Sequence, residues 1–425
     1  MKKIDNLLNI LFFLLYVKIL KNLIDVHIIS TCETGLGKTF IGSEKADSFD
    51  NKILVICQKS KINDWIEHYK LYYNYTIFDL TKPKQFIEYI DCIGKCVGII
   101  NYDLCWRRKD LLTLENFTLM LDESSLISNE RAKRSKFILK LHAKNVILLS
   151  GTPVSGKYEQ LWSQCKLLGW DITKRNFWSN YIITKPIDVG GFNIDIVVGY
   201  KNVNYLKKRL AEYGAIFMKT EEVMTLPDQI EQKLFVNQSK EYKYFKKNHY
   251  IQIGDEELVG DNSLTQIMYE RQLCGQYSKD KINAMKDMID STSDRLIIFY
   301  NFNKELEILK ELCKSRPISE VNGHKRDLTA YENESDSITL VQYQAGAMGI
   351  NLQKANKMIF FTLPLGKGSC DLWQQSKKRI HRIGQNQSCF YYYPLVKNSI
   401  EEWNLKLLQT GKELTDVLFY KNDRR

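Results

Sequence analysis

One stretch near the start of the chain constrains the fold more than any other. An apolar, partly β-branched run at Val26–Ser30 predicts a buried strand, and Gly35 and Gly37 predict a turn directly after it. A helix is expected to begin around Thr39, immediately after Lys38. Backbone N–H groups in such a turn and the positive end of the helix attract phosphate oxygens. The stretch therefore predicts a phosphate-binding P-loop.

The residues of this loop have separate predicted tasks. Lys38 would reach the β and γ phosphates of ATP, and the Thr39 hydroxyl would ligate Mg²⁺. The residues expected to bind the cofactor here are Thr34, Gly35, Leu36, Gly37, Lys38 and Thr39. The strict pattern has a glycine where this chain has Cys32. A glycine-rich turn before an ordinary helix is the alternative interpretation.

Length and composition set limits on the class of protein. At 425 residues the chain has room for two or three domains, and 44% apolar with 26% charged residues is typical of a globular protein. A net charge of +11 suits a polyanionic partner such as nucleic acid. The ten cysteines show no zinc spacing, so we interpret them as reduced core thiols in a cytoplasmic protein, with no metal site among them.

The N-terminal apolar run, Leu7–Val17, imitates a secretory signal. It is too short for a bilayer span, no small-residue cleavage site follows, and Lys18 and Lys21 interrupt it. We therefore expect a buried helix under the first domain, and no membrane partner.

A series of apolar runs of strand length follows the P-loop, each ending in polar residues. Alternation of such runs with helical stretches predicts a doubly wound parallel sheet, whose ligands bind at the carboxyl ends of the strands. The predicted strands lie within Lys52–Cys57, Val97–Tyr102, Phe117–Asp122 and Asn145–Leu149. Together with the first run they predict one α/β lobe.

A second alternating series begins at Asp294 and has no P-loop of its own. Its predicted strands are Asp294–Tyr300, Ser337–Tyr343, Lys357–Thr362 and Cys389–Pro394. We place the boundary between the lobes at Leu226, giving domains 1–225 and 226–425, with 226–290 as a helical linker. The basic and aromatic stretch Lys240–Lys247 either lies along a nucleic-acid backbone or forms a solvated helix face.

Four charged residues complete a predicted reaction centre. Asp122 would hold Mg²⁺ through its water shell, and Glu123 would orient or deprotonate the attacking water. Arg379 and Arg382, three apart and so expected on one helix face, would act as arginine fingers when the two lobes close on ATP. Either pair alone also fits an ordinary solvated surface.

The order of these motifs resembles that of the superfamily-two helicase-like ATPases, and its last parts are similar to the Swi/Snf branch of DNA translocases. The likeness runs from about Asp25 to Glu402. The motifs that carry it are Gly35–Thr39, Asp122–Glu123, Ser150–Pro153, Ala345–Leu352, Arg379–Gln385 and Ser399–Glu402.

The resemblance implies two RecA-like doubly wound lobes with ATP between them, and translocation on double-stranded DNA without strand separation. It places Asn101, Tyr102, Gln344 and Gly346 in segments that follow the DNA backbone. Two further motif positions, Ser150 and Thr152, would couple hydrolysis to DNA contact, and Gly349 would bind the nucleotide.

The chain also departs from the family pattern. The acidic motif reads Asp-Glu-Ser-Ser from Asp122, and the upstream glutamine that reads adenine has no counterpart around Tyr16. A compact form of this kind resembles versions carried by phages, acting in the host cytoplasm. We expect a monomer, with replication or recombination proteins as possible partners.

Three functions remain in competition on the sequence. The resemblance favours a DNA-dependent ATPase that moves on duplex DNA. A strand-separating DNA or RNA helicase is the second candidate. A nucleic-acid-binding scaffold with an inactive ATP site is the third, and the presence of every catalytic residue type argues against it.

Overall fold

The structure is a computed structural model that describes residues 27–32, 38–150, 157–189, 192–218, 226–346, 350–382 and 384–412. The chain divides into two compact units, residues 1–225 and 226–425. Each unit is built around its own large sheet.

Strands and helices alternate through the first unit. Its strands are β1 (His27–Cys32), β2 (Lys52–Cys57), β3 (Thr76–Asp79), β4 (Cys96–Asn101), β5 (Phe117–Asp122), β6 (Asn145–Leu149), β7 (Ile182–Val189), β8 (Phe192–Tyr200) and β9 (Ala215–Met218). Its helices are α1 (Lys38–Ser48), α2 (Ile62–Tyr72), α3 (Pro83–Asp91), α4 (Tyr102–Cys105), α5 (Lys133–Ile138), α6 (Trp162–Leu167), α7 (Lys174–Tyr181) and α8 (Val203–Glu212).

The first sheet contains seven parallel strands in the order β3-β4-β2-β5-β6-β1-β9. Successive residues of β2 enter different cores, since Ile53 and Val55 pack into one and Leu54 and Ile56 into the other. Both faces of the sheet are therefore covered, which explains why its central strands read as continuous apolar runs. The hairpin of β7 and β8 forms a separate two-stranded antiparallel sheet.

Helix α1 packs closely against β6 because it contains a glycine at the contact. A Cβ atom added to Gly42 would lie 2.8 Å from Leu149 Cδ1 and 3.0 Å from Met120 Sδ. This close packing fixes the helix that begins with Lys38 and Thr39 against the centre of the sheet.

The second unit has the same alternation. Its strands are β10 (Gln229–Val236), β11 (Tyr250–Ile253), β12 (Glu256–Val259), β13 (Leu296–Tyr300), β14 (Ile318–Val321), β15 (Arg326–Asp327), β16 (Ile338–Gln342), β17 (Lys357–Phe360) and β18 (Cys389–Val396). Its helices are α9 (Lys240–Asn248), α10 (Ser263–Gln276), α11 (Lys279–Asp290), α12 (Asn303–Leu312), α13 (Thr329–Asn333), α14 (Tyr343–Gly346), α15 (Ser369–Lys377) and α16 (Ile400–Thr410).

The second sheet also has seven strands, in the order β10-β18-β17-β13-β16-β14-β15. All of its pairs are parallel except β14 with β15. Residues of β13 alternate between two cores, with Ile297 and Phe299 on one side and Leu296 and Ile298 on the other. The predicted fold class, two doubly wound parallel sheets in tandem, is confirmed.

The prediction of a helical linker over 226–290 needs correction. Strand β10 pairs in parallel with β18 along its whole length, from Gln229 beside Cys389 to Val236 beside Val396. A hairpin, β11 and β12, follows α9. The segment is therefore part of the second unit's sheet and core, and its edge strand was missed because it lacks a continuous apolar run.

In the described ranges, no helix is both long and apolar enough to cross a bilayer. The N-terminal apolar run, Leu7–Val17, lies outside those ranges.

An ion pair in the interior joins three elements of the second unit. Lys281 on α11 contacts the carboxylate of Glu401 on α16, and the two side chains are 0% and 5% exposed. The other oxygen of Glu401 accepts a hydrogen bond from the backbone N–H of Val396, at the end of β18, at 3.0 Å. Glu401, in the segment Ser399–Glu402, thus ties α11 to the end of strand β18.

Glu401→Gln is expected to destabilise the second unit by about 3 kcal/mol, because it leaves the Lys281 ammonium buried without a compensating charge. The thermal unfolding midpoint, followed by circular dichroism, measures the loss. Glu402→Gln is the matched control, since Glu402 accepts only from the Asn398 N–H at an exposed position. Equal shifts in the two variants would contradict the assignment.

Candidate functional site

The carboxyl ends of three neighbouring strands meet at one edge of the first sheet. Leu149 of β6 pairs with Asp122 of β5 on one side and with Ser30 of β1 on the other. The chain then runs from β1 toward α1, and β6 is followed by Ser150, which is fully buried. Parallel strands place successive strand ends together in this way, so the end of β1 lies at the same edge of the sheet as Asp122.

The acidic pair sits where β5 ends. Glu123 has φ 56° and ψ 58°, the left-handed conformation, and this reverses the chain into a short 3₁₀ helix. For a residue other than glycine such a conformation costs roughly 1 kcal/mol, so the surroundings must hold it. Tyr102 does so, because its hydroxyl donates to the backbone carbonyl of Asp122 at 2.9 Å. Because of this turn, the adjacent carboxylates of Asp122 and Glu123 contact different side chains.

The Asp122 carboxylate is oriented by a tryptophan from another helix. The indole N–H of Trp65, on α2, donates to Asp122 Oδ2 at 3.0 Å, and Trp65 is only 2% exposed. Desolvation is the main effect that raises the pKa of Asp122, and Glu123 raises it further. The Trp65 hydrogen bond and the charge of Lys38 act in the opposite direction.

Lys38, the first residue of α1, lies beside the second carboxylate. Its Nζ is 3.5 Å from Glu123 Oε1, and the two side chains are 11% and 26% exposed. The ammonium group is thus partly desolvated yet accessible. Lys38, Asp122 and Glu123 form one cluster, as the sequence predicts for a phosphate-processing centre. Thr39 lies next to Lys38 in the first turn of α1.

Aromatic side chains hold α1 against α2. His68 Nε2 lies 3.0 Å from the Ser43 hydroxyl, and the His68 ring contacts that of Phe40 at 4.6 Å between centroids. The Tyr73 hydroxyl donates to Glu44 at 2.9 Å. The same α2 helix therefore supports the Lys38 helix and, through Trp65, the Asp122 carboxylate.

The arginine motif of the second unit does not form a helix face. Helix α15 ends at Lys377, so the expectation that Arg379 and Arg382 share a helix face is wrong. After the helix, the Arg379 carbonyl accepts a hydrogen bond from the N–H of Leu352 at 3.1 Å. Arg379 itself is 6% exposed.

Other residues of this motif have structural tasks. His381 Nε2 lies 2.8 Å from the Pro227 carbonyl, at the start of the unit. The Gln385 amide donates to the carbonyl of Ala355 at 2.8 Å, and its oxygen accepts from the N–H groups of Asn386 and Gln387 at 3.1 and 3.0 Å. The motif is thus tied to the segments that precede β10 and β17.

The side chain of Arg382 contacts a polar side chain in the segment 345–352. Its Nη1 donates to Asn351 Oδ1 at 2.5 Å, and Asn351 belongs to the glycine-containing segment 345–352. Burial lowers the pKa of Arg382, and Tyr331 acts against this. The guanidinium is thus held in a partly desolvated position, which strengthens its interaction with an anion.

The residues predicted to contact DNA differ in exposure. Asn101 and Tyr102 are 9% and 2% exposed, so both side chains lie in the interior of the first unit. The Tyr102 hydroxyl donates to the backbone carbonyl of Asp122, a contact that suits a coupling residue, and the role predicted for this segment in following DNA stays a prediction. Gln344, on α14, is exposed, and Gly346 ends that helix.

Several predicted site residues lie outside the described ranges, and their predicted roles stay predictions. They are Thr34, Gly35, Leu36, Gly37, Thr152 and Gly349.

Two site residues were missed on the sequence. Trp65 lies 57 positions from Asp122, and Asn351 lies 31 positions from Arg382. Neither spacing is a local pattern. The sequence could have indicated Trp65, because it lies near the start of a helix that follows a buried strand. The first turn of such a helix lies at the ligand-binding edge of the sheet.

The cluster fits a magnesium-bound nucleotide. Asp122 and Glu123 are adjacent, and desolvation raises the pKa of Asp122, so a bound divalent cation would stabilise their ionised forms. Carboxylate oxygens are also the ligands that Mg²⁺ prefers. The Thr39 hydroxyl and Asp122 would hold the cation, and Lys38 would face the phosphates.

Two family profiles together match most of the chain. The sequence matches the profile of the SNF2-related domain over residues 17–279 and that of the helicase conserved C-terminal domain over 280–384. The two profiles meet at residues 279 and 280, inside the second compact unit, which begins at Leu226.

Individual relatives are similar at low identity. The chain is 27% identical to the DNA repair and recombination protein RAD26 of Saccharomyces cerevisiae, over 67% of this chain and 30% of that protein. It is 23% identical to the ISWI chromatin-remodeling complex ATPase ISW1 of the same yeast, over 92% of this chain and 38% of that protein. The chain therefore spans about a third of the length of these two relatives.

Among solved structures, the Sulfolobus solfataricus SWI2/SNF2 ATPase core in complex with dsDNA is similar. The match has a TM-score of 0.43 at 20% identity and covers 95% of this chain and 90% of that one.

The buried His68 predicts a pH dependence of stability. Burial lowers the pKa of His68 from 6.5 to about 4, with Glu44 acting against it. Between these two pH values the unfolded chain binds a proton that the folded chain does not, so stability falls as the pH falls through this window. The thermal midpoint is expected to drop more between pH 7 and 5 in the wild type than in His68→Gln, whose amide keeps a polar contact for Ser43. Parallel drops would contradict this.

Proposed function

The chain belongs to the family of the SNF2-related domain, the Swi/Snf helicase-like ATPases, and we propose that it is a DNA-dependent ATPase that moves along double-stranded DNA. Hydrolysis of ATP to ADP and phosphate would drive this movement. The observation that carries the proposal is the cluster of Lys38, Asp122 and Glu123 at one edge of the first sheet.

Each residue of the cluster has a proposed task in hydrolysis. Glu123 accepts a proton from the water that attacks the γ-phosphorus, while the bond to the β-phosphate oxygen breaks. Lys38 neutralises phosphate charge, and its Nζ lies 3.5 Å from Glu123 Oε1 in this structure. Mg²⁺, held by Asp122 and Thr39, supplies charge neutralisation at the phosphates when it is bound.

The arginines of the second unit would neutralise the remaining charge. We assign this task to Arg379 and Arg382, and the Asn351 hydrogen bond orients Arg382 for it. Removing such an arginine typically costs on the order of a thousandfold in turnover.

DNA as the polymer is supported by two independent features. The net charge of +11 favours a polyanion. The relatives named above are, by name, a DNA repair and recombination protein and the ATPase of a chromatin-remodeling complex. Within the proposal, Tyr102 couples the acidic motif to the DNA-facing strand ends through its hydrogen bond to Asp122.

The central experiment is steady-state ATP hydrolysis without nucleic acid and with duplex DNA, single-stranded DNA or RNA. Duplex DNA is expected to stimulate hydrolysis most, and Lys38→Ala, Glu123→Gln and Arg382→Ala are expected to lose about a thousandfold. Asp103→Asn, at an exposed carboxylate of the same unit, is the matched control and should retain activity.

Other outcomes distinguish the competing functions. Stimulation mainly by single strands or RNA, with separation of a forked duplex, would assign a strand-separating helicase. Nucleic-acid binding without any turnover would assign a scaffold and refute the motor.

The Trp65 contact predicts a specific defect. Trp65→Phe removes the donor to Asp122 while keeping an aromatic ring, so kcat should fall about tenfold, the effect expected for losing one hydrogen bond to a charged group. Half-maximal binding of a fluorescent ATP analogue should also need more Mg²⁺. Trp162→Phe is the matched control, because its indole donates to the Ile172 carbonyl away from the cluster. Equal Mg²⁺ requirements in the two variants would contradict the role.

A further inference from the structure

Helix α9, residues 240–248, carries two opposite faces. On one side Tyr242 and Phe245 are 1% and 0% exposed and pack into a core with Ile251, Leu258 and other apolar residues. Two hydrogen bonds hold this face, since the Tyr242 hydroxyl donates to Glu270 at 2.7 Å and accepts from the Ile400 N–H at 3.0 Å. The rotation of the helix is therefore fixed.

The other face is a row of three lysines and a tyrosine. Lys240, Lys243, Tyr244 and Lys247 are all exposed, and Tyr244 is 53% exposed. Their spacing, i, i+3, i+4 and i+7, places them along one side of the helix. We call these four residues the basic stripe.

The basic stripe has no counter-charge of its own. Throughout the described part of the second unit, none of its lysines forms an ion pair within 4.0 Å. Lys246, on a different side of the helix, instead donates to the Asn398 carbonyl at 3.2 Å and lies over the Tyr242 ring. Like charges at i, i+3 and i+7 destabilise a helix by a few tenths of a kcal/mol per pair. The core contacts of α9 hold these charges together.

We propose that the basic stripe is a binding surface for the phosphodiester backbone of DNA. The proposal rests on the proposed function and names one surface for the polymer. Lysines and tyrosine hydroxyls are among the usual side-chain partners of backbone phosphates. Regularly spaced positive charges on a rigid helix complement such a polyanion without reading its sequence.

The test compares two double variants of the full chain. Lys243→Gln with Lys247→Gln removes two charges from the basic stripe. Lys279→Gln with Lys286→Gln is the matched control, since both lysines are exposed on one face of α11 in the same unit. Duplex DNA affinity is measured at several KCl concentrations. Each lost phosphate contact should reduce the slope of log affinity against log salt by about 0.9, so the stripe variant should lose about 1.8 and the control much less.

Thermal midpoints show that both variants fold, and hydrolysis without DNA should be unchanged in both. Equal slopes for the stripe and control variants, with wild-type binding intact, would overturn the basic stripe but leave the motor. Absence of wild-type DNA binding and stimulation would refute the proposed function itself. Polyglutamate binding that is lost in the stripe variant while DNA binding persists would assign the surface to an acidic protein and overturn the proposal.

Discussion

A strand buried on both faces of a parallel sheet has no place for a charged side chain until it ends. In both units the central strands alternate their residues between two cores, as Ile53 and Leu54 do in β2. Charge is therefore excluded from the sheet interior and collected at its carboxyl edge, where Asp122 follows the apolar residues of β5. The chemistry of the first unit depends on this sorting, because it brings chain turns far apart in sequence to one edge.

Helix α2 converts that edge into a defined site. Through Trp65 it orients the Asp122 carboxylate, and through His68 it holds α1, which begins with Lys38. Helix α2 thus helps to position both the Asp122 carboxylate, at the end of β5, and the helix that carries the Lys38 ammonium group. The cost of burying the carboxylate, visible in its raised pKa, is offset in part by the indole hydrogen bond and by Lys38.

Patterns within one element were readable on the sequence, and contacts between distant elements were not. The acidic pair was predicted at a strand end because a continuous apolar run precedes it. Arg379 and Arg382 were misplaced on a helix because a spacing of three is compatible with one helix face. The hydrogen bond from Leu352 to the Arg379 carbonyl joins positions too far apart in sequence to form a local pattern. Strand β10 escaped detection since it is an edge strand, exposed along most of its length, and polar residues interrupt its apolar ones.

The pairing of β10 with β18 joins residues 229–236 to 389–396. During synthesis on a ribosome, β10 emerges well before the strand that receives it, so its backbone groups stay without their sheet partners until about 150 more residues have been added. Loop closure of this length is slow relative to local helix formation. Pairing of β18 therefore completes the second sheet. A nascent chain that stalls before β18 would expose the interior strand β17 as an edge and leave β10 unpaired, a state prone to aggregation.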